Sequence, residues 1–365
     1  MTKVIISGGG TGGHVFPAIA IANALKKIEP GIGIRFIGAQ GKLEMEKVPA
    51  AGYPIDGLWI SGLQRSLTLK NLSFPFKVIS SMAKAAKIIS DFRPDMVIGV
   101  GGYASGPTLR VAARKKIPTL IQEQNSYPGI TNKLLGSRVT RICVAYEGMD
   151  RFFPKDKILL TGNPVRQDLI NTKDLKAAGL EHFGLAKEKK TILIIGGSLG
   201  AGTINNSIKQ CIRGKITDGG LQLLWQTGKY YYESISSDES LSKAADVRIL
   251  PFIDRMDLAY AAADIVISRA GAIAISELCI IGKPVILIPS PNVSEDHQTK
   301  NAMALADRQA AVLLKDAEAV EKLKDILTGL CKDEKQQESL RKNISALAIP
   351  DAAERIAEEA LRIGR

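Results

Sequence analysis

The sequence predicts an α/β protein of two domains, each built on a parallel sheet, and three observations predict it. Two glycine-rich loops, GGGTGGHVFPA from Gly8 and GGSLGAGTIN from Gly196, each follow a short β-branched run and lead into a helical pattern. Runs of strand length alternate with helical stretches through both halves, the pattern of parallel strands with helices on both faces. The chain of 365 residues also exceeds what one core usually organises.

In the first half, strands are expected at Val4–Ser7, Ile34–Gly38, Met96–Val100 and Thr119–Gln122. Helices are expected at Ala18–Lys27, Ser80–Arg93 and Thr108–Lys115. Gly and Pro in LLTGNPVR mark a turn, which places a linker near Thr161–Val165. A second series follows, with strands at Thr191–Ile195, Leu221–Gln226, Val247–Pro251, Ile265–Ser268 and Val285–Ile288. The last stretch, from about Asp351 to Arg365, reads as an amphipathic helix with Ala353, Ile356, Ala360 and Ile363 on one stripe, and Pro350 at its start.

Composition narrows the class. With 45% hydrophobic and 24% charged residues the chain is ordinary globular protein. No apolar run reaches the ~18 residues of a membrane span, and the N-terminus does not read as a signal peptide. Cys143, Cys211, Cys279 and Cys331 are widely spaced, so free thiols in a reducing cytoplasm are expected, with no zinc site and no disulfide framework. Residues 1–160 hold 22 Lys and Arg against 10 Asp and Glu, whereas residues 161–365 hold 27 of each, so the whole net charge of +12 lies in the first half. That half is expected to meet an anionic surface or ligand. An anionic membrane is favoured over nucleic acid, because no RNA-binding signature or aromatic-interleaved basic stripe occurs.

A strand, a glycine turn and a helix start make an anion site from backbone N–H groups and the helix dipole. Gly8, Gly10 and Gly13 match the G-x-G-x-x-G dinucleotide pattern, but the second strand ends in Gly38-Ala39-Gln40, without the acid that would hold a ribose. Thr11 and His14 say more, since His14 at the helix entry can face a ligand held by the loop. Two further motifs fall at strand ends. GGYASGP offers Gly102, Tyr103 and Ser105, and QEQN offers Glu123 and Asn125, with Glu123 either a general base or a structural acid. In the second half, Ser198 and the loop amides suit a phosphate, Ala272 starts a helix, and Glu277 in its second turn suits a pair of ribose hydroxyls or a core ion pair. Asp296, His297 and Gln298 follow a strand end and can reach sugar hydroxyls. No cluster has metal-ligand spacing, so no metal site and no cofactor are expected.

The stretch Leu67–Ile89 departs from an ordinary loop and helix. Leu72, Phe74 and Phe76 are interleaved with Lys70 and Lys77. In the following helix Lys77, Ser81, Lys84 and Lys87 form a polar stripe, and Val78, Ile79, Met82 and Ile89 an apolar one. An apolar loop with Phe74-Pro75-Phe76, rimmed by lysines, predicts a peripheral membrane contact.

Seven motifs occur in order: GGGTGGHVFPA, GGYASGP, EQNSYPGITNK, GNPVR, GGSLGA, SRAGAIAISE and DHQTKNA. Over residues 4 to about 357 the chain resembles glycosyltransferase family 28, in particular the N-acetylglucosaminyltransferases that complete the lipid-linked disaccharide-peptide of peptidoglycan. The resemblance implies the GT-B fold, two Rossmann-like domains whose parallel sheets face each other across a cleft. It implies residues 1–160 as an acceptor- and membrane-facing domain, 161–345 as the UDP-GlcNAc domain, and 346–365 as a helix returning to the first domain. It further implies inverting transfer of GlcNAc from UDP-GlcNAc to undecaprenyl-diphosphate-MurNAc-pentapeptide, at the cytoplasmic face of the bacterial plasma membrane. By the same resemblance, Ser198, Ile253 and Glu277 serve the UDP through diphosphate, uracil and ribose. Arg166, Ala272 and Gln298 also fall in the donor site, and Thr11, Gly12, Gly13 and Asn125 lie on its N-domain side. His14 matches a position important for activity. Many members read HEQN where this chain has Gln122-Glu123-Gln124-Asn125, and a glutamine cannot take a proton. The base is then His14 or Glu123. Other UDP-sugar enzymes of this fold, such as UDP-GlcNAc 2-epimerases, and a membrane-recruited nucleotide-sugar-binding protein are the alternatives.

Overall fold

The structure is a computed structural model and describes residues 1–62, 73–166, 169–170, 172–197, 199–242, 244–293 and 296–364. It divides into two compact units, Met1–Val165 with Ile349–Arg365, and Arg166–Ala348. Each is a doubly wound α/β unit.

Among the described residues the first unit holds seven strands: β1 (Lys3–Ser7), β2 (Gly33–Ala39), β3 (Ile55–Leu58), β4 (Met96–Gly99), β5 (Thr119–Glu123), β6 (Arg141–Val144) and β7 (Ile158–Leu160). They lie in the order β3-β2-β1-β4-β5-β6-β7, all parallel. Central strands of such sheets are covered on both faces and read as continuous apolar runs. In β1, Val4 and Ile6 join the core under one face while Ile5 joins the core under the other. The strand order reverses around β1 and β4, so the loops after these two strands flank the switch point where ligands of such sheets bind.

The second unit repeats the plan with β8 (Lys190–Ile195), β9 (Leu221–Gln226), β10 (Val247–Leu250), β11 (Ile265–Ser268), β12 (Val285–Leu287) and β13 (Val312–Leu313), in the order β10-β9-β8-β11-β12-β13. All its strand pairs are parallel. Its switch point lies between β8 and β11, next to the second glycine loop and the helix carrying Glu277.

Three local expectations are corrected. The first helix spans Gly12–Ile28, not Ala18–Lys27, so His14 lies in its first turn. The two glycines and Pro17 argue against helix there, but Val15, Ala18, Ile21 and Leu25 are buried in the core and their packing overrides propensity. Phe74-Pro75-Phe76 is the first turn of the helix Phe74–Phe92 and not a loop. Proline is accepted there because the first N–H groups of a helix have no intrahelical partner. That helix is also rotated from the expected stripes. Ser81 is buried with its hydroxyl donating to Trp59 O at 3.0 Å, Lys84 reaches Gly57 O at 2.7 Å, and Ile79 is 67% exposed. The polar groups nearest the sheet satisfy carbonyls around the end of β3.

The C-terminal helix, Ala352–Gly364, packs into the first unit, with Ala353, Ile356, Ala357, Ala360 and Leu361 in the same core as Val4, Ile6 and Leu25. Glu359, nearly buried on that helix, forms an ion pair with Arg141 of β6, N···O 2.7 Å, and accepts from Arg362 Nη2 at 2.6 Å. All four cysteines are free thiols, and burial pushes Cys143 and Cys279 up to about 12.

Candidate functional site

The N-terminal unit gathers its predicted residues on three loops after β1, β4 and β5. Thr11 takes the N-cap position of the first helix in extended backbone, and its carbonyl accepts the His14 and Val15 N–H groups at 3.1 Å each. Thr11 Oγ1 lies 3.2 Å from His14 Nδ1. When Nδ1–H donates to that hydroxyl, Nε2 is the nitrogen that accepts a proton. The imidazole lies over Gly101, where a Cβ would stand 2.8 Å from Nε2. Thr11 and Gly13 are exposed, and Gly12 and His14 are half-buried.

The loops after β1 and β4 touch backbone to backbone. Gly9 N–H donates to Gly101 O at 3.3 Å, and a Cβ at Gly102 would meet Gly9 O at 2.2 Å. Gly102 therefore serves the close approach of the two loops. Tyr103 is 48% exposed and covers Gly62. Ser105 is fully buried, with Oγ turned toward Gly99 under the sheet. Ser105 thus packs beneath the loop, whereas Tyr103 reaches its surface.

Glu123, at the end of β5, is 2% exposed. One carboxylate oxygen accepts from Asn125 N at 3.0 Å and Asn125 Nδ2 at 3.3 Å, and the other from Gly129 N at 3.2 Å and Asn132 Nδ2 at 2.8 Å. Burial raises its carboxyl above the ordinary range, against the pull of these four donors. The side chain thus ties down the loop that carries Asn125. Beside it lies an amide chain: Gln122 Nε2 donates to Asn163 Oδ1 at 2.9 Å, Asn163 Nδ2 to Gln124 O at 3.0 Å, and Gln124 Nε2 to Val100 O at 2.7 Å. Gln122 is fully buried in that chain.

In the C-terminal unit the second glycine loop turns on a Gly200 N–H bond to Gly197 O at 3.0 Å and leads into the helix Gly202–Arg213. Ser198 lies outside the described residues. Gln226, at the end of β9, joins this loop to the segment after β10: its Nε2 donates to Gly197 O at 3.1 Å and its Oε1 accepts the Ile253 N–H at 2.9 Å. Ile253 itself is buried. Ala272 opens the helix Ala272–Ile281, and Glu277 faces inward from it. Glu277 Oε1 receives Arg166 Nε at 3.3 Å, and Oε2 receives the Tyr260 hydroxyl at 3.2 Å. Burial and the adjacent carboxylate hold the Tyr260 phenol well above its usual range, so it stays a donor. Gln298, in the first turn of the helix His297–Ala306, accepts the Ser290 N–H at 2.9 Å.

Two family descriptions match the chain. Residues 4–144 match the glycosyltransferase family 28 N-terminal domain, and residues 191–356 match the family 28 C-terminal domain. The chain belongs to glycosyltransferase family 28. Among family 28 relatives, the UDP-N-acetylglucosamine--N-acetylmuramyl-(pentapeptide) pyrophosphoryl-undecaprenol N-acetylglucosamine transferase of Flavobacterium psychrophilum is 55% identical over 99% of this chain and 97% of its own length. The protein of the same name from Bacteroides thetaiotaomicron is 52% identical over 99% of this chain and 97% of its own. Among solved structures, Acinetobacter baumannii MurG aligns with a TM-score of 0.80 at 28% identity, over 99% of this chain and 100% of that one. A UDP-GlcNAc 2-epimerase from Neisseria meningitidis aligns with a TM-score of 0.70 at 18% identity, over 99% and 100%, which is likeness of fold alone.

The family 28 fold places several groups in these loops that the sequence reading passed over. Tyr260 and Gln226 hold site residues in place yet sit in none of the seven motifs, and Asn163 and Asn132 do the same from within GNPVR and EQNSYPGITNK, where nothing singles them out. The signal was topological: each lies at, or one helix away from, the carboxyl end of a strand.

Proposed function

We propose that this family 28 enzyme transfers GlcNAc from UDP-GlcNAc to the C4 hydroxyl of MurNAc in undecaprenyl-diphosphate-MurNAc-pentapeptide, with inversion. The observation that carries this reading is 55% identity, over 99% of the chain, to a transferase named for that reaction. In the reaction the C1–O bond to UDP breaks, a C1–O4 bond forms, and the acceptor hydroxyl gives its proton to a base.

The local geometry supports separate duties. Glu277, fixed by Arg166 and Tyr260, is placed to accept from two ribose hydroxyls. Arg166 gives its Nε to Glu277, so it acts first as the anchor of that carboxylate. The departing diphosphate is held by N–H groups of the glycine loop at Gly197 and Leu199 and by the start of the helix Gly202–Arg213. Ile253, whose N–H is taken by Gln226, meets uracil through its backbone. His14, oriented by Thr11, is the general base. Glu123, with four hydrogen bonds from its own loop, positions Asn125 and does not exchange protons.

The enzyme works as a peripheral protein on the anionic cytoplasmic face of the plasma membrane. Among the described residues no helix is long and apolar enough to cross a membrane. Support comes from Phe76 at 69% exposure, Ile79 beside it, and Trp59, whose ring lies 5.7 Å from Lys77 Nζ. Lys77 Nζ also donates to Ser61 Oγ at 2.9 Å, and Phe74 is half-buried at the helix start. Lys70 and Leu72, expected in the same contact, lie outside the described residues. Apolar groups beside cations suit entry among anionic headgroups.

Release of UDP, followed with and without a short-chain lipid-linked MurNAc-pentapeptide, tests the reading. Acceptor-dependent UDP release is expected. Equal release in its absence would mark hydrolysis of the donor instead.

A further inference from the structure

The first glycine loop already contains an anion. Glu44, which opens the short helix after β2, is 1% exposed. Its Oε2 accepts the Gly10 N–H at 2.7 Å, and its Oε1 accepts the Ala39 N–H at the end of β2 at 2.9 Å. Gly9, at φ +147°, gives it room: a Cβ there would fall within 2.5 Å of all three carboxylate atoms. Gly38 makes the same allowance from the other side, where a Cβ would lie 2.5 Å from Glu44 Cγ. Among the described residues no cation pairs with this carboxylate.

In dinucleotide-binding folds the concavity of such a loop takes a phosphate, and an acid after the second strand holds the ribose. Here an acid after the second strand fills the concavity itself. Burying a carboxylate without a cation is costly unless hydrogen bonds compensate, and here two backbone donors do so. Gly10 precedes Thr11, whose carbonyl and hydroxyl both engage His14.

We propose that Glu44 is a resident anion of the first glycine loop and a positioning residue for the transfer. It stands where a phosphate would sit against Gly9 and Gly10, fixes the chain entering Thr11, and so orients His14. The acceptor diphosphate then meets this loop only through the Thr11–His14 segment, because Glu44 repels a second anion at Gly9 and Gly10. This assignment rests on the reading that His14 serves the reaction.

The test compares the parent enzyme with E44A and E44Q, each with sodium formate and with sodium chloride as control. In E44A, kcat is expected to fall about tenfold or more while the donor KM stays within about twofold, because transition-state geometry and not donor binding is lost. Formate, small enough to enter the vacated cradle, is expected to restore kcat at least partly, and chloride is not. Parent-like kcat in folded E44A, or a loss that formate leaves unchanged, overturns the proposal. If E44A does not fold, E44Q decides. Its amide can accept only one of the two N–H groups, so a fall in kcat at constant donor KM supports the proposal and an unchanged kcat overturns it. Hydrogen exchange over residues 9–15 gives a reading independent of activity. Faster exchange in E44A or E44Q than in the parent supports the proposal and unchanged exchange overturns it, even if the parent shows no transfer, which would overturn the proposed function separately.

Discussion

Arg166 Nε stands 3.3 Å from Glu277 Oε1, and the opposite oxygen of that carboxylate takes the Tyr260 hydroxyl at 3.2 Å. Two donors, one to each oxygen of this nearly buried acid, set its orientation. Arg166 and Glu277 are 111 residues apart in sequence, and neither alone shows that they meet.

On the proposed ribose role, replacement of Glu277 by Ala removes an acceptor for two hydroxyls. Charged hydrogen bonds are worth about 1.5–3 kcal/mol each, so loss of both should raise the UDP dissociation constant and the donor KM about a hundredfold or more. The effect on kcat should be smaller. Calorimetry with UDP measures the first, and an unchanged donor KM would remove Glu277 from the donor site.

His14 and Glu123 separate by their pH–rate profiles. Loss of a general base costs about a hundred- to ten-thousandfold and removes the limb of the profile that the base produces. His14→Gln should do both, at nearly constant donor KM. Glu123→Gln should lower the rate by misplacing Asn125, since an amide cannot accept all four donors, yet leave the shape of the profile intact. A lost acidic limb in Glu123→Gln would make Glu123 the base.

Serine at Phe74 and Phe76 should weaken binding to anionic vesicles. A buried aromatic side chain gives about 1.5–3 kcal/mol, and Phe76 is the more exposed of the two, so most of a tenfold or larger loss should come from it. Activity on a detergent-dispersed acceptor should remain. Vesicle sedimentation measures the first, and parent-like binding would place these rings in contacts unrelated to the membrane.

The C-terminal helix should loosen in acid. Arg362, then Arg141, hold the Glu359 carboxyl below its ordinary value of 4.5. A carboxyl depressed in the folded state stabilises fully above its unfolded pKa, and that contribution disappears as pH falls through the folded value. Glu359→Gln should therefore melt lower than the parent near neutrality, and the two should converge below pH 4.5. A constant difference across that range would show that packing, not charge, is what the substitution disturbs.

Much of the architecture was legible because its central strands are uninterrupted aliphatic runs. Val4-Ile5-Ile6 and Ile192-Leu193-Ile194 have no hydrogen-bonding side chain to misdirect the reading, and all six residues are fully buried. The strands Ile55–Leu58, Arg141–Val144, Ile158–Leu160 and Val312–Leu313 were not expected, since runs of two to four residues show no clear periodicity. The early start of the first helix was hidden by glycines and a proline whose propensities tertiary packing overrules. The motif residues were legible one by one. What holds them was not. Nothing in LEMEK distinguishes Glu44, which enters the glycine loop, from Glu46, which lies at the surface beside Lys47.

The dinucleotide pattern at Gly8, Gly10 and Gly13 shows why a motif needs its surroundings. Its spacing is satisfied, but Glu44 occupies the concavity that the pattern advertises. The same six residues thus become a scaffold for Thr11 and His14.

The most direct test of the central claim is mass spectrometry of the acceptor after incubation with UDP-GlcNAc and a short-chain lipid-linked MurNAc-pentapeptide. The account predicts one added N-acetylhexosamine per acceptor, with stoichiometric UDP. An unmodified acceptor, from protein that still binds UDP-GlcNAc, would contradict it.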